Sequence, residues 1–296
     1  MMKTLHSLIV LMMVQPAFAD ETTGGGLPPY SEAVLPIGSE LFAVAIGPGG
    51  PGEEFGSDAA NGGLYEIGAD GSFKIVTLSD GEGLRNPTGM VEVNDQIIIV
   101  DGKQVISTTP DGIVNWRTSF DVDGVFFYDI EVLDKTTLVV SDFGRGVFVS
   151  VSSETGTIQP YLPKIQINGL ARFEIDNDKI FAASWGADDA WDSAIFRVSD
   201  IHGTAVSEKL SDGFGNLESV EVIDGQLILG AYRGHEDHQE SKLMSLDAKR
   251  NVRPLKLGAD TQGVSDIYFD GGTVWLTYFY DASFSALPAK RFSVVQ

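Results

Sequence analysis

No cysteine occurs in the 296 residues, so neither disulfides nor a lipid-modified cysteine can staple or anchor the chain. Beyond residue 19 no run approaches the roughly 18 uninterrupted apolar residues of a membrane helix, which argues against membrane insertion. Basic residues are scarce: 20 Lys and Arg stand against 42 Asp and Glu, for a formal net charge of −22. Nucleic acid and anionic membranes are therefore poor partners. The acidity has two readings, cation capture or a solubilising surface, and the scatter of acids along the whole length suits the second. A Gly-x-Ser-x-Gly elbow and a phosphate-binding glycine loop are also missing, which removes the usual signatures of a serine hydrolase and a nucleotide enzyme.

The first 19 residues carry Lys3, an apolar run from Leu8 to Val14, and Ala17-Phe18-Ala19 ahead of Asp20. This is the layout of a cleaved secretory signal, so the mature protein is expected to start at Asp20 and to be periplasmic or secreted. Residues 20–30, with Gly24-Gly25-Gly26 and Pro28-Pro29, are too poor in apolar side chains to pack and are expected to form a flexible leader. Residues 31–296 are then one domain, whose stability without disulfides requires an extended hydrophobic core.

Five segments repeat one plan of strand, polar turn, strand: Pro87 to Val100, Tyr128 to Val140, Asn168 to Ala183, Leu217 to Leu229 and Ser265 to Thr277. Their spacing of roughly 40 to 50 residues is that of four-stranded propeller blades. Period-two hydrophobic alternation and turn dipeptides such as Asp70-Gly71 favour sheet over helix. With an irregular first unit, Glu32 to Leu78, the chain is expected to form an all-β, six-bladed β-propeller with almost no helix. The sixth blade is expected to end with Arg291 to Val295 and to lack its outermost strand, which the segment around Tyr30 to Leu35 would supply.

In a propeller, residues at equal register in successive innermost strands ring one opening. Aligning the five segments places Thr88, Tyr128, Asn168, Glu218 and Ser265 in register, with Asp129 and Asp266 one position further on. Longer connections at Gly47 to Gly63, Trp185 to Ser193 and Arg233 to Ser241 bring Glu53, Glu54, Asp58, Asp188, Asp189 and Asp192 to the same mouth. Carboxylates plus an amide carbonyl suit a hard cation such as Ca²⁺. Asn168 and Glu218 are candidate ligands; the competing reading is hydrogen bonding to backbone at the strand entrance.

Gly234-His235-Glu236-Asp237-His238 lacks the partner spacing of zinc motifs and suits a solvated loop better than a metal clasp. Trp185, Trp191, Phe126, Phe127 and Tyr128 are candidates to line a ligand pocket or to pack beneath loops. Arg145, Arg172 and Arg233 would meet an anionic substrate or neighbouring acids, with surface pairing the commoner outcome.

Ile167-Asn168-Gly169-Leu170-Ala171, followed by Asp178 to Ala183, resembles the Asn-Gly-Leu blade of the gluconolactonase, senescence-marker and paraoxonase superfamily. Leu217-Glu218-Ser219-Val220 resembles the next calcium-bearing blade, with Glu where Asp is usual. Tyr128-Asp129-Ile130 resembles the Asn-Asp blade, with Tyr128 in place of the ligand Asn. Asn86 to Val91 and Ile99 to Gly102 are similar to NHL repeats.

The resemblance implies a six-bladed propeller with an axial calcium ion held by Asn168, Glu218 and, early in the first blade, Glu32. It also implies hydrolysis of a lactone or small ester in the central channel. The ion would polarise the carbonyl while Asp129, or else Asp266, activates water. The alternative is a non-catalytic propeller that binds a small molecule or a protein partner on its upper face, for which the Tyr128 replacement speaks. A lyase or isomerase on the same scaffold is a third possibility, because fold does not fix chemistry.

Overall fold

The computed structural model describes residues 22–47, 61–186, 192–232, 242–255 and 263–292. Six four-stranded antiparallel sheets form the blades of a propeller, as expected. Blade one comprises β2 (Ser31–Ile37), β3 (Glu40–Ala45), β4 (Gly63–Ile67) and β5 (Phe73–Ile75), and blade two β6 (Pro87–Val93), β7 (Gln96–Asp101), β8 (Gln104–Thr108) and β9 (Val114–Ser119). Blade three holds β10 (Phe127–Val132), β11 (Thr137–Asp142), β12 (Val147–Ser152) and β13 (Ile158–Tyr161), and blade four β14 (Leu170–Asp176), β15 (Lys179–Ser184), β16 (Ala194–Ser199) and β17 (Val206–Asp212). Blade five has β18 (Asn216–Ile223), β19 (Gln226–Tyr232), β20 (Lys242–Leu246) and β21 (Val252–Pro254). Blade six has β22 (Val264–Phe269), β23 (Thr273–Tyr278) and β24 (Ser283–Pro288), followed by a 3₁₀ turn, Ala289–Arg291.

Tight hairpins join the inner strands. Asn94-Asp95 and Asp224-Gly225 adopt positive φ at both positions, the twist that suits a two-residue turn between antiparallel strands. The second strands are almost wholly apolar and buried, as in Ile97–Val100, because both of their faces pack against neighbouring blades. The outer strands are far more open, and Phe73 and Ile75 on β5 are exposed. The core is accordingly six interblade slabs. Val34, Leu41 and Ala43 meet Trp275 and Phe284 across the closure between blades one and six, while Phe148 meets Phe173 between blades three and four. The axis is left to polar residues.

Three expectations about the ends are corrected. Thr22–Gly26, placed in the flexible leader, forms β1 and pairs with β24 through Thr22↔Ala286, Thr23↔Ser285 and Gly26↔Ser283. An edge strand needs only backbone to pair, so apolar poverty did not preclude it. This N-terminal strand, rather than the segment around Tyr30 to Leu35, completes blade six; Ser31–Ile37 is the innermost strand of blade one. The third strand of blade six is Ser283–Pro288, since a turn with Ala282 at φ 47° returns the chain directly from β23; of the expected Arg291 to Val295, Arg291 ends the 3₁₀ turn and 293–295 lie outside the described residues.

All six innermost strands carry a bulge at the same place. The pairing shifts between Ser31 and Ala33, Pro87 and Gly89, Phe127 and Asp129, Leu170 and Phe173, Leu217 and Ser219, and Val264 and Asp266. Each shift inserts one extra residue into the inner strand, bending it and releasing its backbone from the ladder.

Closure by β1 has a measurable consequence. Removing residues 20–26 from the mature protein deletes the backbone pairing to β24, worth about 3 kcal/mol at roughly 1 kcal/mol per bond. A fall in melting temperature of about 6–12 °C is expected by scanning calorimetry; an unchanged melt would show that the strand contributes nothing to closure.

Candidate functional site at the propeller axis and mouth

The bulges prepare the axis. The extra residues Glu32, Thr88 and Ser265 turn their carbonyl oxygens inward, and one side chain from blade four gathers all three. Arg172 Nε donates to Ser265 O at 2.5 Å, and Nη2 donates to Thr88 O at 2.7 Å and Glu32 O at 2.9 Å. Nη1 donates to Asp129 Oδ1 at 3.0 Å, while Glu32 Oε2 lies 3.4 Å from Nη2 and Asp266 Oδ1 3.6 Å from Nη1. The guanidinium thus links blade four to blades one, two, three and six. It also sits over the Tyr128 ring, 5.7 Å from its centroid. Such a planar fork of five donors suits several acceptors at once, whereas an ammonium would reach fewer.

Arg172 is buried, which opposes its charge, but Asp266, Asp129 and Glu32 outweigh that and hold it cationic. Asp129 Oδ2 also accepts from Phe173 N at 2.9 Å. Burial pushes the Asp129 carboxyl up to about 6, against the pull of Arg172. Burial likewise raises Asp266, again opposed by Arg172.

At the bulge ring, Tyr128 OH donates to Glu218 Oε1 at 2.6 Å. Burial, then the Glu218 and Glu32 charges, push the phenol well above its ordinary range, so it stays a neutral donor. Glu32 is raised well above the usual carboxylate range by burial and then by Glu218, with Arg172 opposing. Further along the same strands, Glu131, Glu174 and Glu221 occupy one register in blades three, four and five. Burial is the main cause of their raised proton affinity; the Glu174 charge adds to it at Glu131 and Glu221, and the Asp129 and Asp176 charges add to it at Glu174, which is pushed up to about 8. Glu221 accepts from Val222 N and Phe269 N.

Four of the five expected site residues are therefore axial: Glu32, Glu218, Asp129 and Asp266. Asn168 is not in their ring. It lies in the turn before β14 with an exposed side chain, and its carbonyl accepts from Ser184 Oγ at 2.6 Å. In blade four the pairing leaves Ala171 and Arg172 opposite Ala183, and by comparison with the other blades, where the extra residue directly follows the pair before the shift, Ala171 takes the bulge position. The residues present do not fit the calcium ion that the resemblance implies. Ala171 has no side-chain oxygen to offer, Tyr128 commits its hydroxyl to Glu218, and Arg172 holds Glu32, Asp129 and Asp266. Among the described residues, no three acidic or histidine side chains are disposed to hold a metal ion. Glu53, Glu54, Asp58, Asp188, Asp189, Trp191, Arg233, His235 and His238 lie outside the described residues.

Sequence reasoning points Arg172 towards surface pairing and does not single out Glu131, Glu174 or Glu221. Their signal is polar residues at alternate positions in otherwise apolar strands, charged at both places in Asp129-Ile130-Glu131 and Arg172-Phe173-Glu174 and Ser then Glu in Ser219-Val220-Glu221, which sends all of them to one face.

On the mouth face, a cleft of about 490 Å³ separates blades two and three, lined by Arg85, Asn86, Lys103, Gln104, Ser119 and Phe126 among others. Carboxylates at the ends of second strands brace it. Asp101 accepts from Asn86 N at 2.5 Å and Arg85 N at 2.9 Å, and Asp142 accepts from Phe126 N at 3.1 Å. Phe126 continues to the axis through Tyr128, at a centroid distance of 6.3 Å, and Tyr128 packs on Phe143 at 5.5 Å. Arg145 meets a neighbouring acid, pairing with Asp142 at 2.5 Å, but the carboxylate is fully buried, so this is not the surface pairing expected.

No known family profile matches the chain, and no curated protein matches it by sequence. Solved structures do share its fold. A proposed gluconolactonase is similar with a TM-score of 0.60 at 12% identity, covering 92% of this chain and 93% of that one. A catalytically inactive virginiamycin B lyase variant from Staphylococcus aureus, solved with quinupristin, gives 0.56 at 15% identity, covering 90% and 80%. The extracellular domain of a proposed one-component system from Bacteroides thetaiotaomicron gives 0.56 at 11% identity, covering 86% of this chain and 32% of that one. The chain is thus a six-bladed β-propeller, and its fold is consistent with the superfamily that its blade motifs resemble.

The acidic axis makes stability pH-dependent. A carboxyl whose folded proton affinity is raised binds its proton more tightly in the folded state, so its contribution is complete below its unfolded value and is lost as pH rises through the folded one. For Glu174 that window runs from its ordinary 4.5 to about 8. Glu174→Gln is expected to melt close to wild type at pH 4 and a few degrees higher at pH 9. A difference that stays constant with pH would contradict this assignment.

Proposed function

We propose that this chain is an exported propeller that binds a small polar organic ligand on its mouth face, in the cleft between blades two and three. The observation that carries this reading is the cleft itself: donors and acceptors from Arg85, Asn86, Lys103, Gln104 and Ser119 surround a space beside the Phe126 ring. Concave sites with a few convergent polar groups and an aromatic wall are the usual form of small-molecule pockets. The axial groups favour binding over catalysis, since Glu32, Glu218, Tyr128 and Arg172 are all buried and engaged with one another. Export rests on the signal-like first 19 residues, and the net charge of −22 disfavours nucleic acid and anionic membrane as ligands.

A second reading, hydrolysis of a lactone or small ester, is favoured by Asp129, whose proton affinity near 6 suits a general base close to neutral pH. The name of one fold neighbour, a proposed gluconolactonase, agrees with such chemistry, whereas another is a lyase, whose bond cleavage does not consume water. This reading assigns no role to calcium, because the ligand set does not fit the ion.

Thermal-shift titration of the mature protein with sugars, hydroxy acids and lactones tests the binding reading. At least one class is expected to raise the melting temperature, and Gln104→Ala or Phe126→Ala is expected to weaken it about tenfold. Ligands that bind both variants as tightly as wild type would contradict the cleft as the site. Turnover of lactones or aryl esters that falls at least about 100-fold in Asp129→Asn would support the second reading; wild-type protein inert towards the panel would dismiss it.

A further inference from the structure

We infer that the Arg172 guanidinium is the permanent axial cation of this propeller, standing in for a bound metal ion and making the axis independent of divalent cations. Three observations carry the inference independently of any ligand or activity.

The first is acceptor geometry. Carbonyl oxygens of three bulge residues, Glu32, Thr88 and Ser265, converge on one point with the Asp129 carboxylate, and Arg172 donates to all four. Inward carbonyls and carboxylates from several blades are the surroundings a hard cation would otherwise require; here the donors of one planar side chain satisfy them.

The second is charge. Glu32, Asp129 and Asp266 each lie within 4 Å of the guanidinium. A divalent ion added to the same ring would sit beside a fixed positive charge in a buried, poorly screened setting, where like-charge repulsion is strong.

The third is the register of the chain. The bulge position of blade four is Ala171, which has no side-chain ligand atom, and the residue after it is Arg172. The corresponding following positions in the other blades are Ala33, Gly89, Asp129, Ser219 and Asp266. Only blade four sends a long cation from this ring to the centre. A tethered cation differs from a bound one in that chelators cannot remove it and metal supply does not alter it.

The test is calcium titration of the mature protein, followed by calorimetry and by melting in either 5 mM CaCl₂ or 5 mM EDTA. Wild type is expected to show no stoichiometric calcium binding below millimolar concentration and melting temperatures that agree to within about 1 °C. Arg172→Met leaves buried carboxylates and carbonyls without their donor and is expected to melt about 10 °C or more lower. It is also expected to regain several degrees in CaCl₂ as the ion enters the vacated centre. Arg172→Lys, which keeps the charge but not the fork, is expected to lie between wild type and Arg172→Met and to remain indifferent to calcium. The wild-type measurement decides even if Arg172→Met fails to fold. One-to-one calcium binding with a rise of several degrees in the wild-type melt, reversed by EDTA, would overturn the inference.

Discussion

One guanidinium bears the organisation of this molecule. Arg172 reaches from blade four to backbone or carboxylate groups of blades one, two, three and six, so the innermost strands of these five blades share a single electrostatic partner. The six hydrophobic slabs hold neighbouring blades together in pairs, but no slab spans the ring. The axis has to be held by something polar, because bulged strands direct free carbonyls towards it and a buried acceptor without a donor costs about 1–3 kcal/mol.

That arrangement also explains the balance of charge. A single cation faces Glu32, Asp129 and Asp266, with Glu218 close to Glu32 and three more glutamates further along the channel. Burial disfavours each added anion, so the carboxyls shift upward and protons supply part of the compensation. The neutral Tyr128 hydroxyl serves the same balance, since it satisfies Glu218 without adding charge. The proposed ligand site, by contrast, lies off the axis, where the Phe126 wall joins the hub to an open polar cleft.

Much of the fold was legible in the chain because turns and apolar alternation are local signals. The strand Gly63–Ile67 and the starts of β8, β9 and β16 fall where Asp-Gly turns and alternating residues put them. The N-terminal strand was not, because its pairing partner is the last blade and its own side chains carry no hydrophobic pattern. The site was half legible. Glu218, Asp129 and Asp266 lie at the axis as register implies, and Glu32 lies there as the resemblance implies, but alignment of the repeats carries Asn168 into the ring although in this chain it precedes the strand. Aligning the apolar residues that open each strand, Phe127, Leu170, Leu217 and Val264, would have put Ala171 in the ring and Arg172 beside it. An isolated arginine is usually a surface residue, and only long-range pairing reveals the bulges that make this one central.

The most direct measurement is an anomalous-scattering map of the mature protein from crystals grown in calcium. The account expects planar density for Arg172 on the axis, within hydrogen-bond distance of the Glu32, Thr88 and Ser265 carbonyls, and no anomalous peak there. A calcium peak among Glu32, Glu218 and Asn168, with the arginine turned away, would contradict it.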